Sequence, residues 1–184
     1  MKLKPLFVSI ISIFLLILTS CNDGDDPRLY LHDFYWAPAT QYGDVSEAQN
    51  LNFQKIPKLE YKNIRKLVGT HGQYVWVKTT FTLPEELKGD DLSMVVPYIH
   101  FAEELYLNGY YIDDYGIMDD GPESSEIQEA GFIAHLFDFP ESFINQDGEN
   151  TVLIKIFSLG SGSINGKIFV GFREDAWSTS DKIT

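Results

Sequence analysis

Three consecutive stretches, Tyr74-Val-Trp-Val-Lys-Thr-Thr-Phe81, Leu92-Ser-Met-Val-Val96 and Glu104-Leu-Tyr-Leu-Asn-Gly-Tyr-Tyr-Ile112, decide the fold of this 184-residue chain. The first alternates between two partly apolar faces, which predicts a central strand. The second is a short apolar run of strand length. In the third, Asn108-Gly109 separates two apolar runs, and both residues tolerate positive φ angles. This pair therefore predicts a tight β-hairpin.

The rest of the chain adds short extended segments and no long amphipathic helix pattern. Asn145 to Asn150 is dense in turn residues and leads into a β-branched run, Thr151 to Phe157. Acidic residues and a Gly-Pro pair between Met118 and Glu129 indicate a surface loop. Seven or eight short strands with turns between them predict an all-β, two-layer sandwich. The remaining predicted strands are Phe132–Phe139 and Lys167–Val170.

The N-terminus has the pattern of a secretory signal. Lys2 and Lys4 precede an apolar run, Leu6 to Leu18, that is too short to span a bilayer. Leu18-Thr19-Ser20-Cys21 follows and resembles the lipobox of bacterial lipoproteins, which implies removal of residues 1–20 and lipidation of Cys21. An ordinary secretory signal with a chance cysteine is the alternative. Cys21 is the only cysteine, so no disulfide can stabilise the fold.

These patterns divide the chain into four parts. We expect a lipoprotein signal peptide at 1–20, a tether and N-terminal flap at 21–48, the β-sandwich at 49–173 and a polar tail at 174–184. Within the second part, Tyr30 to Trp36 is more apolar than a linker, and an edge strand is the alternative to a flap there. Two or more acyl chains hold a protein stably on a membrane surface. We therefore expect a protein of the cell envelope, outside the cytoplasm, anchored by lipid and facing the periplasm or the cell surface.

Three motifs occur in order over about residues 50–172: Trp76-Val-Lys-Thr-Thr-Phe-Thr-Leu-Pro84, Glu104-Leu-Tyr-Leu-Asn-Gly109 and Gly148-Glu-Asn-Thr-Val-Leu-Ile-Lys-Ile156. Together they resemble the galactose-binding-like jelly-roll β-sandwich. This domain occurs as the sugar-binding domain of glycoside hydrolase family 2. It also occurs as the sensor ectodomain of bacterial seven-transmembrane receptors with diverse intracellular signalling modules. Val77 and Thr79 depart from the pattern, where an aromatic and a second basic residue are usual.

Charge and motif content exclude several functions. The chain has 27 acidic and 14 basic residues, and removal of the signal would take away two lysines. Such a surface repels nucleic acid. No nucleophile-elbow motif occurs, and the many acids make chance carboxylate pairs uninformative, so we expect no enzyme.

The sequence offers no pattern for a zinc site and one candidate set of calcium ligands. His32, His71, His100 and His135 lack the spacing of a zinc site. Asp113-Asp114 and Asp119-Asp120 supply oxygen ligands that suit calcium, and a structural calcium is common in jelly rolls of this type. A solvated acidic loop is the other reading, and we expect no further cofactor.

Sugar sites combine aromatic platforms with polar side chains, because the C–H face of a sugar stacks on a ring while its hydroxyls need donors and acceptors. Aromatic residues make up 14% of the chain. We expect Trp76 and Trp177 to be packing residues. The candidate ligand-binding residues lie in or near predicted loops and hairpin ends: Trp36, His71, Tyr98, His100, Glu103 and Tyr111.

Two functions remain open. The first is a membrane-anchored lipoprotein whose domain binds a carbohydrate or another small ligand, as a free-standing protein or as the sensor ectodomain of a longer one. The second is a non-catalytic module that binds a protein partner of the cell envelope through an exposed aromatic patch.

Overall fold

A computed structural model describes residues 27–40, 42–57, 73–97, 102–116, 134–158 and 166–183. These residues form an all-β sandwich of two antiparallel sheets, as predicted. The four-stranded sheet has the order β1 (Arg28–Tyr30), β10 (Phe169–Phe172), β5 (Leu92–Val96), β8 (His135–Phe139). The six-stranded sheet has the order β3 (Gln54–Lys55), β2 (Phe34–Ala39), β4 (Gln73–Thr82), β9 (Glu149–Ser158), β6 (Ala102–Leu107), β7 (Tyr110–Tyr115).

Alternation along the strands places the main core between the sheets. In β4, Val75, Val77 and Phe81 face this core, while Trp76 lies on the other face of the sheet in a smaller apolar cluster. Both faces of β4 are therefore covered, which confirms the prediction of a central strand. The opposite wall of the core comes from β5, β8 and β10, which contribute Leu92, Met94, Val96, Phe137, Phe139 and Val170.

The Asn108-Gly109 turn joins β6 to β7 as predicted. Asn108 has a φ of 52° and Gly109 a φ of 85°, which are the left-handed angles that a two-residue hairpin turn requires. The Asn108 amide donates to the Phe143 carbonyl and to Asn150 Oδ1, both at 2.8 Å, and its Oδ1 accepts from the Thr151 backbone N–H at 2.8 Å. The turn residue thus also connects two neighbouring segments, the turn at Phe143 and strand β9.

The N-terminal boundary of the sandwich differs from the predicted one. Strands β1 and β2 lie within residues 21–48, where we expected a tether and a flap, and each belongs to a sheet. Residues Phe34 to Ala39 pair with the distant strand β4, and Trp36 lies opposite Val77. Because this pairing is non-local, the sequence pattern of β2 alone does not reveal it.

The C-terminal boundary differs as well. Besides a short helix, α1 (Val45–Ala48), the described chain contains the helix α2 (Arg173–Ile183). Helix α2 replaces most of the predicted polar tail at 174–184. It is joined to the four-stranded sheet by the fully buried Ala176, which packs with Val95 and Phe169. Trp76 is buried as expected, whereas Trp177 on α2 is 54% exposed.

The predicted signal peptide, Cys21 and the acidic loop at 118–129 lie outside the described residues. Within the described part of the chain, none of the helices has the length and apolar character needed to cross a membrane.

Candidate ligand-binding groove

The outer face of the six-stranded sheet is partly covered by residues 42–53, here called the cover segment. It contains a short helix, α1 (Val45–Ala48), whose first turn is capped by Asp44: the Asp44 carboxylate accepts from the backbone N–H groups of Ser46 and Glu47. These two hydrogen bonds and one from the Ser46 hydroxyl, which is the largest influence, lower the pKa of Asp44. Ala48 from α1 packs on Trp76.

Two polar contacts hold the cover segment on the sheet. Trp76 Nε1 donates to Glu47 Oε2 at 3.1 Å, and Lys155 Nζ donates to the Gly43 carbonyl at 2.6 Å. Burial acts to raise the pKa of Glu47, but the hydrogen bonds from Trp76 and Thr40 outweigh it, and the pKa is lowered. The Lys155 ammonium also lies over the Trp76 ring, 5.9 Å from its centroid.

A groove of about 450 Å³ runs between the cover segment and the β6–β7 turn. Its floor comes from β4 and β9, where Lys78 lies opposite Leu153 in the strand register. Its size falls within the range of pockets that hold small molecules. The groove is lined by Val45, Ala48, Gln49, Leu51, Phe53, Lys78, Asn108, Gly109, Thr151 and Leu153.

The lining combines an aromatic ring, aliphatic side chains and a few polar groups. The half-buried Phe53 ring lies beneath the Lys78 ammonium, 5.6 Å from ring centroid to Nζ. The Thr151 hydroxyl and the Gln49 amide make no hydrogen bond within the described residues, so they can bind a ligand. Asn108 is different, because its amide already bonds to neighbouring segments.

A row of aromatic rings continues along the sheet beside the groove. The rings of Trp76, Tyr106 and Tyr111 meet edge to face, with successive centroids 5.7 Å apart. The Tyr106 hydroxyl donates to Glu104, and the Tyr111 hydroxyl donates to Asp114. Burial and these carboxylates raise the pKa of both tyrosines, so both remain protonated donors at neutral pH.

A second polar cluster lies inside the sandwich. Glu103 from β6 and His135 from β8 are fully buried, with Glu103 Oε1 at 2.6 Å from His135 Nδ1. The Tyr115 ring stacks on the imidazole with a centroid distance of 3.9 Å. Burial raises the pKa of Glu103, and the neighbouring His135 only partly offsets this effect.

The structure does not bring the predicted ligand-binding residues into one site. Trp36 lies within β2, not in a loop, and its half-buried ring packs against the main core. Glu103 lies in the interior, and Tyr111 is 48% exposed on the edge strand β7. His71, Tyr98 and His100 lie outside the described residues. A ligand-binding role for these residues stays a prediction.

Sequence reasoning did not select the residues of the groove. Phe53, Lys78 and Leu153 come from three distant segments, and no spacing connects them. One signal was present: the outward face of β4 carries Trp76 and Lys78, so an aromatic and a cation share a surface.

A cleft of about 540 Å³ on the other sheet is lined mainly by charged residues. It contains Asp90, Asp91, Glu174 and Asp175 with Arg173. Nowhere in the described residues do three or more His, Cys, Asp or Glu side chains form a group that could hold a metal ion. Asp119 and Asp120, half of the predicted calcium-ligand set, lie outside those residues.

The fold is similar to part of known glycosidases. One structure of the β-glucuronidase from Ruminococcus gnavus superposes with a TM-score of 0.55 at 15% identity, covering 81% of this chain and 28% of the enzyme. Another, in complex with D-glucuronic acid, gives 0.54 at 14% identity, covering 78% of this chain and 29% of the enzyme.

The chain thus spans under a third of the enzymes it matches, and the likeness shows a shared sandwich fold. A scan against models of protein families and a search of curated proteins each find no match.

Proposed function

We propose that this chain is a lipid-anchored, extracytoplasmic protein whose β-sandwich binds a carbohydrate or another small ligand and has no catalytic activity of its own. The observation that carries the proposal is the groove over β4 and β9, with the Phe53 ring on one wall. Polar groups from Gln49 and Thr151 also line it and have no hydrogen-bond partner among the described residues. A ring and aliphatic side chains can pack on the C–H face of a sugar, while the polar groups bind its hydroxyls.

The composition of the groove supports binding without catalysis. Glycoside hydrolysis requires two carboxyl groups on opposite sides of the scissile bond. Of the described residues that line the groove, none is acidic. The resemblance to receptor ectodomains suggests sensing of the ligand as one use of this binding.

The anchor and the location are proposed from the sequence around Cys21. Metabolic labelling with a fatty-acid analogue tests them directly. The protein should carry the label and sediment with the membrane fraction, and the Cys21→Ala variant should carry no label. Absence of label from the unaltered protein would remove the anchor from the proposal and leave the groove unaffected.

Blocking the groove tests the binding function. Thr151→Trp places a large side chain in the groove, and strands accept aromatic residues well. Thr82 is exposed on β4 opposite Glu149, further from Thr151, and does not line the groove, so Thr82→Trp is the control. Titration calorimetry with neutral and acidic mono- and disaccharides on the full chain in detergent should show binding that Thr151→Trp removes and Thr82→Trp keeps. No binding by any sugar or small metabolite would refute the proposal.

The exposed tyrosines of β7 favour a second candidate function, the binding of an envelope protein. Tyr110 and Tyr111 are 54% and 48% exposed on a strand at the edge of the sheet as described. Exposed aromatic residues often anchor protein interfaces. Pull-down from envelope extract with Tyr110→Ala, compared with Thr151→Trp, separates the two functions. Tyr110 does not line the groove, so the first change should affect only protein capture.

A further inference from the structure

We propose that the groove prefers sugars that carry a carboxylate, and that the Lys78 ammonium binds this carboxylate; the proposal rests on the ligand-binding function proposed above. Lys78 is the only charged residue among the described residues that line the groove. The chain as a whole has 27 acidic residues against 14 basic ones. A groove with one cation and no carboxylate is therefore a local exception in an acidic protein.

The Lys78 ammonium has no acidic partner in the described part of the chain. Other lysines of this protein do find one: Lys55 lies 2.6 Å from Asp33, and Lys88 lies 3.1 Å from Asp147. Lys78 instead contacts the face of the Phe53 ring in a cation–π interaction. This interaction uses none of the three N–H groups of the ammonium in a conventional hydrogen bond. These donors are thus available to a ligand.

The surroundings of Lys78 fit a sugar acid. Phe53 and Leu153 offer apolar surface on either side of the ammonium, and Thr151 supplies a hydroxyl further along β9. A sugar that packs its C–H face on these side chains can direct a carboxylate at Nζ and a hydroxyl at Thr151.

A phosphate fits this groove less well. Phosphate sites usually combine several donors, such as an arginine fork or the free N–H groups at a helix start. The described lining has a single cation, and the backbone N–H groups of Ser46 and Glu47 in α1 are already occupied by the Asp44 carboxylate. A singly charged carboxylate is the anion that this set of donors matches.

Matched ligand pairs test the preference. Titrations of the full chain would compare D-glucuronate with D-glucuronamide, and D-galacturonate with D-galactose. A charge-assisted hydrogen bond at a partly buried site corresponds to about tenfold in affinity. We expect each acid to bind about tenfold more tightly than its neutral counterpart.

Lys78→Met keeps the length of the side chain and removes the charge. It should reduce the ratio of the affinities for the acid and the neutral sugar to about one, whereas Lys78→Arg should keep this ratio at about tenfold. Lys167→Met is the control, since Lys167 also lies over an aromatic ring, Tyr30, but on the other sheet. Equal affinity for acid and neutral partners in the unaltered protein, or a preference that survives Lys78→Met, would overturn this proposal and leave ligand binding intact. Absence of binding by every sugar would overturn both.

Discussion

The Oε1 atom of Glu103 lies 2.6 Å from Nδ1 of His135, and neither side chain is exposed to solvent. Glu103 belongs to the six-stranded sheet and His135 to the four-stranded sheet, so this contact joins the two layers inside the sandwich. The Tyr115 ring covers the imidazole, and its hydroxyl bonds to the backbone of Leu136. Glu103 Oε2 has no hydrogen-bond partner among the described atoms.

This pair predicts a pH dependence of stability. Burial raises the pKa of Glu103 above its ordinary value of 4.5. At a pH between these two values the native state keeps Glu103 protonated, whereas the unfolded state has released this proton. The contribution of Glu103 to the free energy of unfolding is therefore fully present below pH 4.5 and is lost as pH rises through the raised pKa. In Glu103→Gln the side chain does not ionise, so this loss does not occur. The stability of this variant relative to the unaltered protein should therefore increase as pH rises above 4.5.

Chemical denaturation from about pH 4 to about pH 9 measures the difference. Glu86→Gln, on an exposed residue of the same type, is the control and should follow the unaltered protein at every pH. Parallel stability profiles for the unaltered protein and Glu103→Gln would show that Glu103 has no raised pKa.

The inward position of this pair could have been predicted from the sequence. Glu103 lies on the same face of its strand as Leu105 and Leu107, and His135 lies on the same face as Phe137 and Phe139. Each therefore belongs to an apolar face. We instead expected Glu103 to contact a ligand, because the predicted strand began at Glu104 and left Glu103 in the preceding loop. Which partner each side chain meets across the sandwich is a non-local fact that the pattern does not contain.

The hydrogen bond between Trp76 and Glu47 should hold the cover segment on the sheet. A double-mutant cycle of Trp76→Phe and Glu47→Ala isolates the free energy of this hydrogen bond. A hydrogen bond to a charged acceptor contributes roughly 1.5–3 kcal/mol when it is buried. Glu47 is only half-buried, so a smaller value applies here. We expect a coupling free energy of about 1 kcal/mol in urea denaturation. Trp76→Phe combined with Glu86→Ala should be additive, and an equal coupling in both cycles would contradict the proposed contact.

The hairpin turn separates conformational from hydrogen-bonding effects. Asn108→Gly keeps the left-handed turn and removes three side-chain hydrogen bonds, so we expect a loss of roughly 2–4 kcal/mol of unfolding free energy. Gly109→Ala keeps these bonds and meets no atom within 4 Å, but places a Cβ at a φ of 85°. That strain costs about 1–2 kcal/mol. Denaturant titration of both variants compares them, and a smaller loss for Asn108→Gly would mean that the network contributes little.

The turn and the groove mark the limits of sequence reasoning here. Asn108-Gly109 was predictable because a hairpin turn depends on the φ angles of two adjacent residues. The groove was not, because it exists only after Phe53 from the cover segment lies against Lys78 of β4 and Leu153 of β9. The sequence indicated an edge strand or a flap at Tyr30 to Trp36, but not the bounds or the pairing of β1 and β2, because their partners lie far along the chain.

The Phe53 ring gives the groove its stacking surface, and Phe53→Leu removes the ring while keeping most of the apolar volume. Such a change costs less than about 1.5 kcal/mol of stability, whereas loss of ring stacking should weaken sugar binding about three- to tenfold. Calorimetric titration at a temperature where both proteins are folded measures the affinity, and thermal unfolding measures the stability. Leu51→Ala, also in the lining, should weaken binding less, because it removes aliphatic contact and no ring. If Phe53→Leu binds sugars as tightly as the unaltered protein, the ligand does not stack on this ring.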